Sequence, residues 1–288
     1  MAETEGASRE FLLDRETVLK GVSTLPSLPA VVIELLQTMD QEEADMHLLA
    51  EKLSRDQALS AKVLRVANSS FYGMSGKVNS IADAMVVLGL RGVRTLAMAA
   101  SISDTFSATR CPGFDFRMFW RHSIGVALCA KEIARQCRQN DGNAFTAGLL
   151  HDLGRLVLAS CFPQHLVAVM AYRERMDCPW EEAEQQVLGM SHAELGGLLA
   201  MHWNFPASLH AAITHHHDMA GDDKVLSCTL VIADALAHAL DLSGDENEMV
   251  SPITEVCWQT LSLPDENWLA LFAIVESQFE AACESLLV

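Results

Sequence analysis

Two aspartates set inside apolar segments constrain this chain more than any other feature. Asp234 stands in Leu230-Val231-Ile232-Ala233-Asp234-Ala235-Leu236, and Asp152 follows Gly148-Leu149-Leu150-His151. A carboxylate taken out of water is costly unless it is paired, hydrogen-bonded or coordinated. Any fold of this sequence therefore has to bring partners to both. Five places hold groups able to bind a metal: His122, the adjacent His151 and Asp152, His192, the run His215-His216-His217 closed by Asp218, and Asp234 itself. Imidazole with carboxylate suits divalent transition metals, among them Fe, Mn, Ni and Zn. On a helix, His151 and Asp152 would project about 100° apart, so that one faces a first ion while the carboxylate bridges to a second. Two ions so placed would clamp a phosphodiester or phosphomonoester and acidify a bound water. The same residues also read as a metal-free polar core held by His–Asp hydrogen bonds. His202, His210 and His238 read as hydrogen-bonded core or surface residues.

The surrounding pattern is helical. Half of the residues are hydrophobic but only 6 % are aromatic, and the unbranched side chains that dominate lose little rotamer freedom in a helix. Pro29 suits the first turn of a helix carrying Val31, Ile33, Leu35, Leu36 and Met39. Asp56 and Ser80 are placed to cap the helices that follow them, Asn68 to Gly73 breaks the chain, and Gly89-Leu90-Arg91-Gly92 makes a tight joint to a helix over 93–106. Cys111-Pro112-Gly113 marks a boundary between two lobes. Further helices are expected over 118–136, through His151 and Asp152 near a helix middle, and over 181–188, 193–202, 206–215, 224–240 and 268–286. No strand alternation appears. The all-α expectation is a two-lobed multi-helix bundle.

The formal net charge is -18. A uniformly acidic surface repels phosphate backbones, which excludes general nucleic-acid binding. The charge is uneven, because Arg55 to Arg138 holds 12 Lys/Arg against 5 Asp/Glu. That stretch reads either as internally neutralised helix faces or as a basic patch for an acidic protein or a phosphorylated small molecule, with Arg55, Arg65, Arg91 and Arg94 as contact residues or ordinary helix-surface charges. The N-terminus lacks the basic and apolar regions of a signal peptide, no run of about 18 apolar residues suggests a membrane span, and the 8 cysteines form no CxxC pair. A cytoplasmic protein with reduced thiols is expected.

Two blocks of sequence resemble the HDOD (HD-related output domain) family of the HD superfamily. The first runs from Leu25-Pro26-Ser27-Leu28-Pro29 through Ser54-Arg55-Asp56-Gln57-Ala58-Leu59 and Val63 to Ser69, then Tyr72-Gly73, Ile81-Ala82-Asp83-Ala84 and Leu88-Gly89-Leu90. The second joins Phe119-Trp120-Arg121-His122-Ser123, Ala147 to Gly154, His192-Ala193-Glu194-Leu195-Gly196, Trp203 to Pro206 and the His run. The resemblance implies an HD-phosphohydrolase-like second lobe and a domain over 22–240, split into lobes at 22–110 and 111–240, after an acidic lead-in (1–21) and before a C-terminal helical extension (241–288). It implies a bacterial signalling or regulatory module; many such proteins lack a complete catalytic set. The related HD-GYP proteins hydrolyse cyclic di-GMP, and their metal ligands carry over onto His122, His151, Asp152, His192, His216, His217 and Asp234. Two departures stand out. The usual Lys after HD-x-Gly is Arg155, a fork rather than a point donor, and the GYP segment is absent after the His pair. No fused receiver or GGDEF domain is visible, so the chain is expected to act alone, through a signalling-protein partner or a nucleotide ligand, with one or two divalent ions as possible cofactors. The alternative is a metal-dependent phosphohydrolase of a nucleotide or cyclic dinucleotide, with Asp152 and Arg155 in the catalytic roles.

Overall fold

The computed structural model describes residues 10–40, 45–69, 78–107, 109–218, 224–245, 249–262 and 265–286. Ser70 to Gly73 of the expected break, residues 219–223 before Lys224, and residues 246–248 of the acidic loop lie outside them. The described residues contain no strand. In chain order the helices are α1 (Arg15–Val22), α2 (Ala30–Gln37), a 3-10 turn (Thr38–Asp40), α3 (Met46–Ser54), α4 (Gln57–Ala67), α5 (Ile81–Phe106), α6 (Phe116–Gln136), α7 (Asp141–Leu150), α8 (Leu153–Cys161), α9 (Pro163–Met176), α10 (Trp180–Leu188), α11 (His192–His202), α12 (Ala207–Thr214), α13 (Lys224–Ala239), α14 (Glu255–Leu261) and α15 (Asp265–Leu286).

Local chemistry sets several of these boundaries as the sequence leads one to expect. Asp56 accepts the Leu59 N–H at 2.9 Å and Ser80 Oγ accepts the Asp83 N–H at 3.0 Å, each satisfying a donor that the helix leaves unpaired. The joint near Gly89 is a kink inside α5, where φ is 72° and ψ is 170°, a conformation that glycine adopts without strain. Three helices have no counterpart in the sequence pattern. α1 lies within the expected acidic lead-in, yet it buries Val18 and Val22 and packs on α8 and α11. α9 buries only Leu166 and Val169, too little to print a periodicity, and α14 is 7 residues long.

Helices α2 to α5 pack on one another, and α6 to α13 form a second, larger group built on the α6–α7, α6–α13 and α8–α11 pairs. α15 lies across α6 and touches α5. α5 is long and apolar enough to cross a bilayer by length and mean hydropathy (1.5), but 56 % of that apolar window is buried within the protein, as in a core helix.

Arg94 corrects the sequence reading. It is not a helix-surface charge but a buried residue, 2 % exposed. Its guanidinium donates to Thr38 Oγ1 (3.2 Å) and Asn143 Oδ1 (2.6 Å), tying α5 to the turn after α2 and to the first turn of α7. Within the basic stretch around it, Arg55 pairs with Glu51, Lys62 with Asp104 and Arg91 with Asp141. We expect Arg94→Met, which keeps the volume and removes the donors, to lower stability by about 1–3 kcal/mol; a urea melt with an unchanged midpoint would show that the buried guanidinium holds nothing together.

Candidate metal centre

His151 and Asp152 do not lie in the middle of a helix. α7 ends at Leu150, α8 begins at Leu153, and the pair forms the joint, with Asp152 at φ -92°, ψ 17°. The joint lets both side chains turn toward α6, α11 and α13 at once, which two consecutive positions on a straight helix do less readily. Close packing brings the walls in. A Cβ on Gly148 would lie 2.8 Å from the Ala127 Cα of α6, and one on Gly154 would lie 1.8 Å from the His192 carbonyl oxygen of α11. Only hydrogens at these positions allow the α7–α8 joint to sit between the helices that carry His122 and His192.

The seven residues expected from the sequence come together. His122 Nε2 lies 3.1 Å from Asp234 Oδ1, 3.3 Å from His151 Nε2 and 3.9 Å from Asp152 Oδ2. On the other side, Asp152 Oδ1 lies 3.1 Å from His192 Nε2 and 3.6 Å from His216 Nε2. His192 Nε2 is 3.2 Å from His216 Nε2 and 2.9 Å from His217 Nε2. Asp152 thus stands between two groups of donors, His122 with His151 and Asp234, and His192 with His216 and His217. His215 is turned away and pairs with Asp218 at 2.9 Å.

The outer contacts of these rings decide what the inner ones can bind. His151 Nδ1 lies 2.7 Å from the Gly148 carbonyl oxygen, and His216 Nδ1 lies 2.7 Å from that of Ile213. His192 Nδ1 meets Glu184 Oε2 at 2.7 Å, and His217 Nδ1 meets Glu181 Oε1 at 2.8 Å. An acceptor outside fixes the ring proton on Nδ1, so the neutral ring points its Nε2 lone pair inward. Several such lone pairs within about 3 Å of one another and of two carboxylates repel, unless protons or a cation lie among them. The donor set, imidazole nitrogen with carboxylate oxygen, fits a divalent transition metal.

In the metal-free chain the electrostatics favour the ligating form at the two aspartates and at His216, and hold His192 protonated. Burial alone would raise Asp152, but His151 and His192 hold it well below the ordinary carboxylate range, and His122 and His151 do the same for Asp234 against its burial. Burial would lower His192, yet Glu184 and Asp152 raise it well above the ordinary imidazole value. His216, buried and beside His217, is pushed down to about 3. A neutral His216 and ionised aspartates are the forms that ligate.

Two participants escaped the sequence reading. His238, read there as a core or surface residue, stacks on His122 with ring centroids 4.5 Å apart and places Nε2 3.5 Å from Asp234 Oδ1. Its spacing four residues after Asp234 on α13 is the signal that could have found it. Glu184 is fully buried, and its Oε2 accepts both the backbone N–H and the Nδ1–H of His192. We expect Glu184→Gln to keep the fold and to weaken metal affinity roughly 10–100-fold, read by competition with a chelator; unchanged affinity would show that Glu184 does not orient His192.

The centre opens into a cavity of about 690 Å³, lined by His122, Asp152, His192, His217, Asp234 and Arg155. That volume is in the range of small-molecule sites. Arg155 Nη1 lies 3.2 Å from Asp152 Oδ2.

Comparison with known proteins matches this architecture. An HDOD domain protein of unknown function from Geobacter sulfurreducens superposes with a TM-score of 0.78 at 25 % identity, over 95 % of this chain and 98 % of that one. A candidate phosphohydrolase of Shewanella amazonensis superposes with a TM-score of 0.73 at 28 % identity, over 94 % and 98 %. An uncharacterised protein of Treponema pallidum is 24 % identical over 225 residues, 76 % of this chain; the chain spans only 43 % of that relative's length. The model of the HDOD domain matches residues 25–219, which takes in His122, His151, Asp152, His192, His216 and His217 together with helices α2 to α12. The chain belongs to the HDOD domain family.

Proposed function

We propose that this chain is a metal-dependent phosphoester hydrolase, with one or two divalent ions held by His122, His151, Asp152, His192, His216, His217 and Asp234. The observation that carries the reading is the convergence of imidazole Nε2 atoms on Asp152 while four of the Nδ1 atoms face acceptors outside. When bound, divalent ions supply Lewis-acid polarisation of a phosphoryl oxygen and a water acidic enough to act near neutral pH. The chain's own residues do the rest. Asp152 and Asp234 remain ionised. Glu181 and Glu184 keep the His217 and His192 protons on the outer nitrogens. Arg155 presents a guanidinium to a phosphate oxygen in the cavity, a fork suited to two-point contact. The candidate phosphohydrolase of Shewanella amazonensis, similar over nearly its whole length, supports the same class.

A second reading is a regulatory module that binds a nucleotide in this cavity, or a signalling protein, without turning anything over. Family membership favours it. The internal pairing of Arg55, Lys62 and Arg91 leaves less of a basic patch for a protein partner than the sequence suggests. Elemental analysis of untagged protein prepared without chelator, followed by p-nitrophenol release from bis(p-nitrophenyl) phosphate and from p-nitrophenyl phosphate and by product analysis on a nucleotide panel, separates the readings. Stoichiometric metal with turnover supports the hydrolase, metal with nucleotide binding and no hydrolysis of any ester supports the regulatory module, and a well-folded protein that takes up no metal overturns the first.

A further inference from the structure

Beyond the ligands themselves, the cavity carries more negative charge than positive. Asp115, Glu174, Asp177, Glu181 and Asp245 line it, and among the lining residues only Arg155 and Arg173 offer a guanidinium. Both cations are already engaged. Arg155 Nη1 lies 3.2 Å from Asp152 Oδ2, and Asp245 and Asp177 act on Arg173. Both guanidiniums also lie against the Trp180 ring, 4.2 Å and 4.9 Å from its centroid. Two of the carboxylates have partners of their own. Glu181 meets His217 Nδ1 at 2.8 Å, and Asp115 accepts the backbone N–H groups of Arg117 and Met118 at the start of α6. A neutral N–H leaves the charge of its acceptor in place. Asp115, Glu174 and Asp177 are exposed, and so mark where the cavity meets solvent. The lining also includes Phe114, Met118, Phe119 and Met170, with the two phenylalanine ring centroids 5.8 Å apart.

These charges decide what a ligand can carry besides its phosphate. In the hydrolase reading Arg155 and the metal centre serve the phosphate. The organic arm attached to that phosphate shares the cavity with the remaining carboxylates and with Arg173, which Asp245 and Asp177 already offset. A further negative group on the arm is repelled there, across distances at which salt screens only in part. An uncharged arm can lie on the phenylalanine and methionine side chains. A cationic end is drawn both to the carboxylates and to the faces of the aromatic rings.

We propose that this cavity selects phosphoesters that bear a single phosphate group and an uncharged or cationic organic arm, and rejects those whose arm carries a second phosphate or a carboxylate. The inference deepens the hydrolase reading and rests on it for the position of the phosphate; the sign of the surrounding wall is a property of the α6 entrance, α9, α10 and Asp245. Glu174 and Asp177 set the specificity without touching the metal centre.

The test uses three non-hydrolysable ligands: phenylphosphonate, its para-carboxy derivative and its para-trimethylammonio derivative. They share one phosphonate and one ring and differ in the charge of the arm. Binding is measured by isothermal titration calorimetry on the full chain, with metal content determined on every sample. At low ionic strength the native protein is expected to bind the trimethylammonio ligand about threefold more tightly than phenylphosphonate, and the carboxy ligand about threefold more weakly. The double variant Glu174→Gln, Asp177→Asn is expected to narrow the spread between the outer two from about tenfold to about threefold at unchanged metal content. Asp177 has a φ of 48°, a conformation that Asn also tolerates. Raising the salt to about 0.5 M should flatten the order in the native protein, a readout that needs no variant to fold. Equal affinities at low salt, or a spread that neither the variant nor salt narrows, would overturn the selection. An intact order in a protein that hydrolyses no ester overturns the hydrolase reading and leaves the selection standing, a flat order in a protein that does hydrolyse overturns the selection alone, and binding of none of the three overturns both.

Discussion

Gly154→Ala is expected to unseat the centre and to destabilise the protein by roughly 3 kcal/mol or more, at the upper end of what overpacking costs. The added Cβ would lie 1.8 Å from the His192 carbonyl oxygen, 2.7 Å from its carbonyl carbon and 2.8 Å from the Gly196 nitrogen. Every one of these atoms is main chain, so no rotamer change relieves the clash. α8 and α11 must move apart by more than an ångström, and they form one of the most extensive helix pairs in the larger group. The same displacement opens the 3.1 Å contact between Asp152 and His192. Thermal unfolding followed by circular dichroism should fall by about 6–12 °C, together with loss of metal binding. A variant that melts within about 2 °C of its parent would show that the two helices do not approach as closely as described.

Asp152→Asn is expected to abolish turnover while leaving the fold in place. The substitution keeps the side-chain volume and removes the one charge that stands between the two groups of histidines. It also turns an amide N–H toward Nε2 atoms, or leaves a weaker oxygen donor there. Loss of a first ligand removes several kcal/mol of transition-state stabilisation, about a thousandfold in rate or more, and metal content should fall in parallel. The pH dependence of the metal-free protein gives a second readout. Asp152 is held well below its ordinary value near 3.8. A group so depressed contributes stability that is fully present above the unfolded value and is lost as pH falls through the lower folded value. The native acid limb should therefore be steeper below about pH 4 than that of the Asn variant. Full turnover in Asp152→Asn would sink the hydrolase assignment at this site.

The sequence made the candidate ligands visible because two of them, Asp152 and Asp234, break a local rule. Asp234 in an apolar run and His151-Asp152 after Gly148-Leu149-Leu150 cannot be explained by burial alone, and a search for their partners leads to the remaining histidines. The caps Asp56 and Ser80 were legible for the same reason, a polar side chain at a helix entrance. What stayed hidden obeys local rules and acquires meaning only in three dimensions. Glu184 sits in Trp180-Glu181-Glu182-Ala183-Glu184 and reads as one more charge on an acidic helix until α11 delivers His192 to it. Arg94 reads as an ordinary basic residue on a helix until Thr38 and Asn143 close around it. The joint at His151 and Asp152 looks helical because apolar residues continue on both sides, and Gly154 gives no sign in one dimension of what it must let pass.

The outer anchors of the histidines divide unevenly over the chain. Those of His151 and His216 are main-chain carbonyls, which no side-chain substitution can delete. Those of His192 and His217 are Glu184 and Glu181, neighbours on α10, the helix that also begins with Trp180. Mutational drift that spares all seven candidate ligands therefore has one place where it can most readily loosen their arrangement. Rewriting a single nine-residue helix would leave all seven side chains in place and still release two of them from their outer anchors.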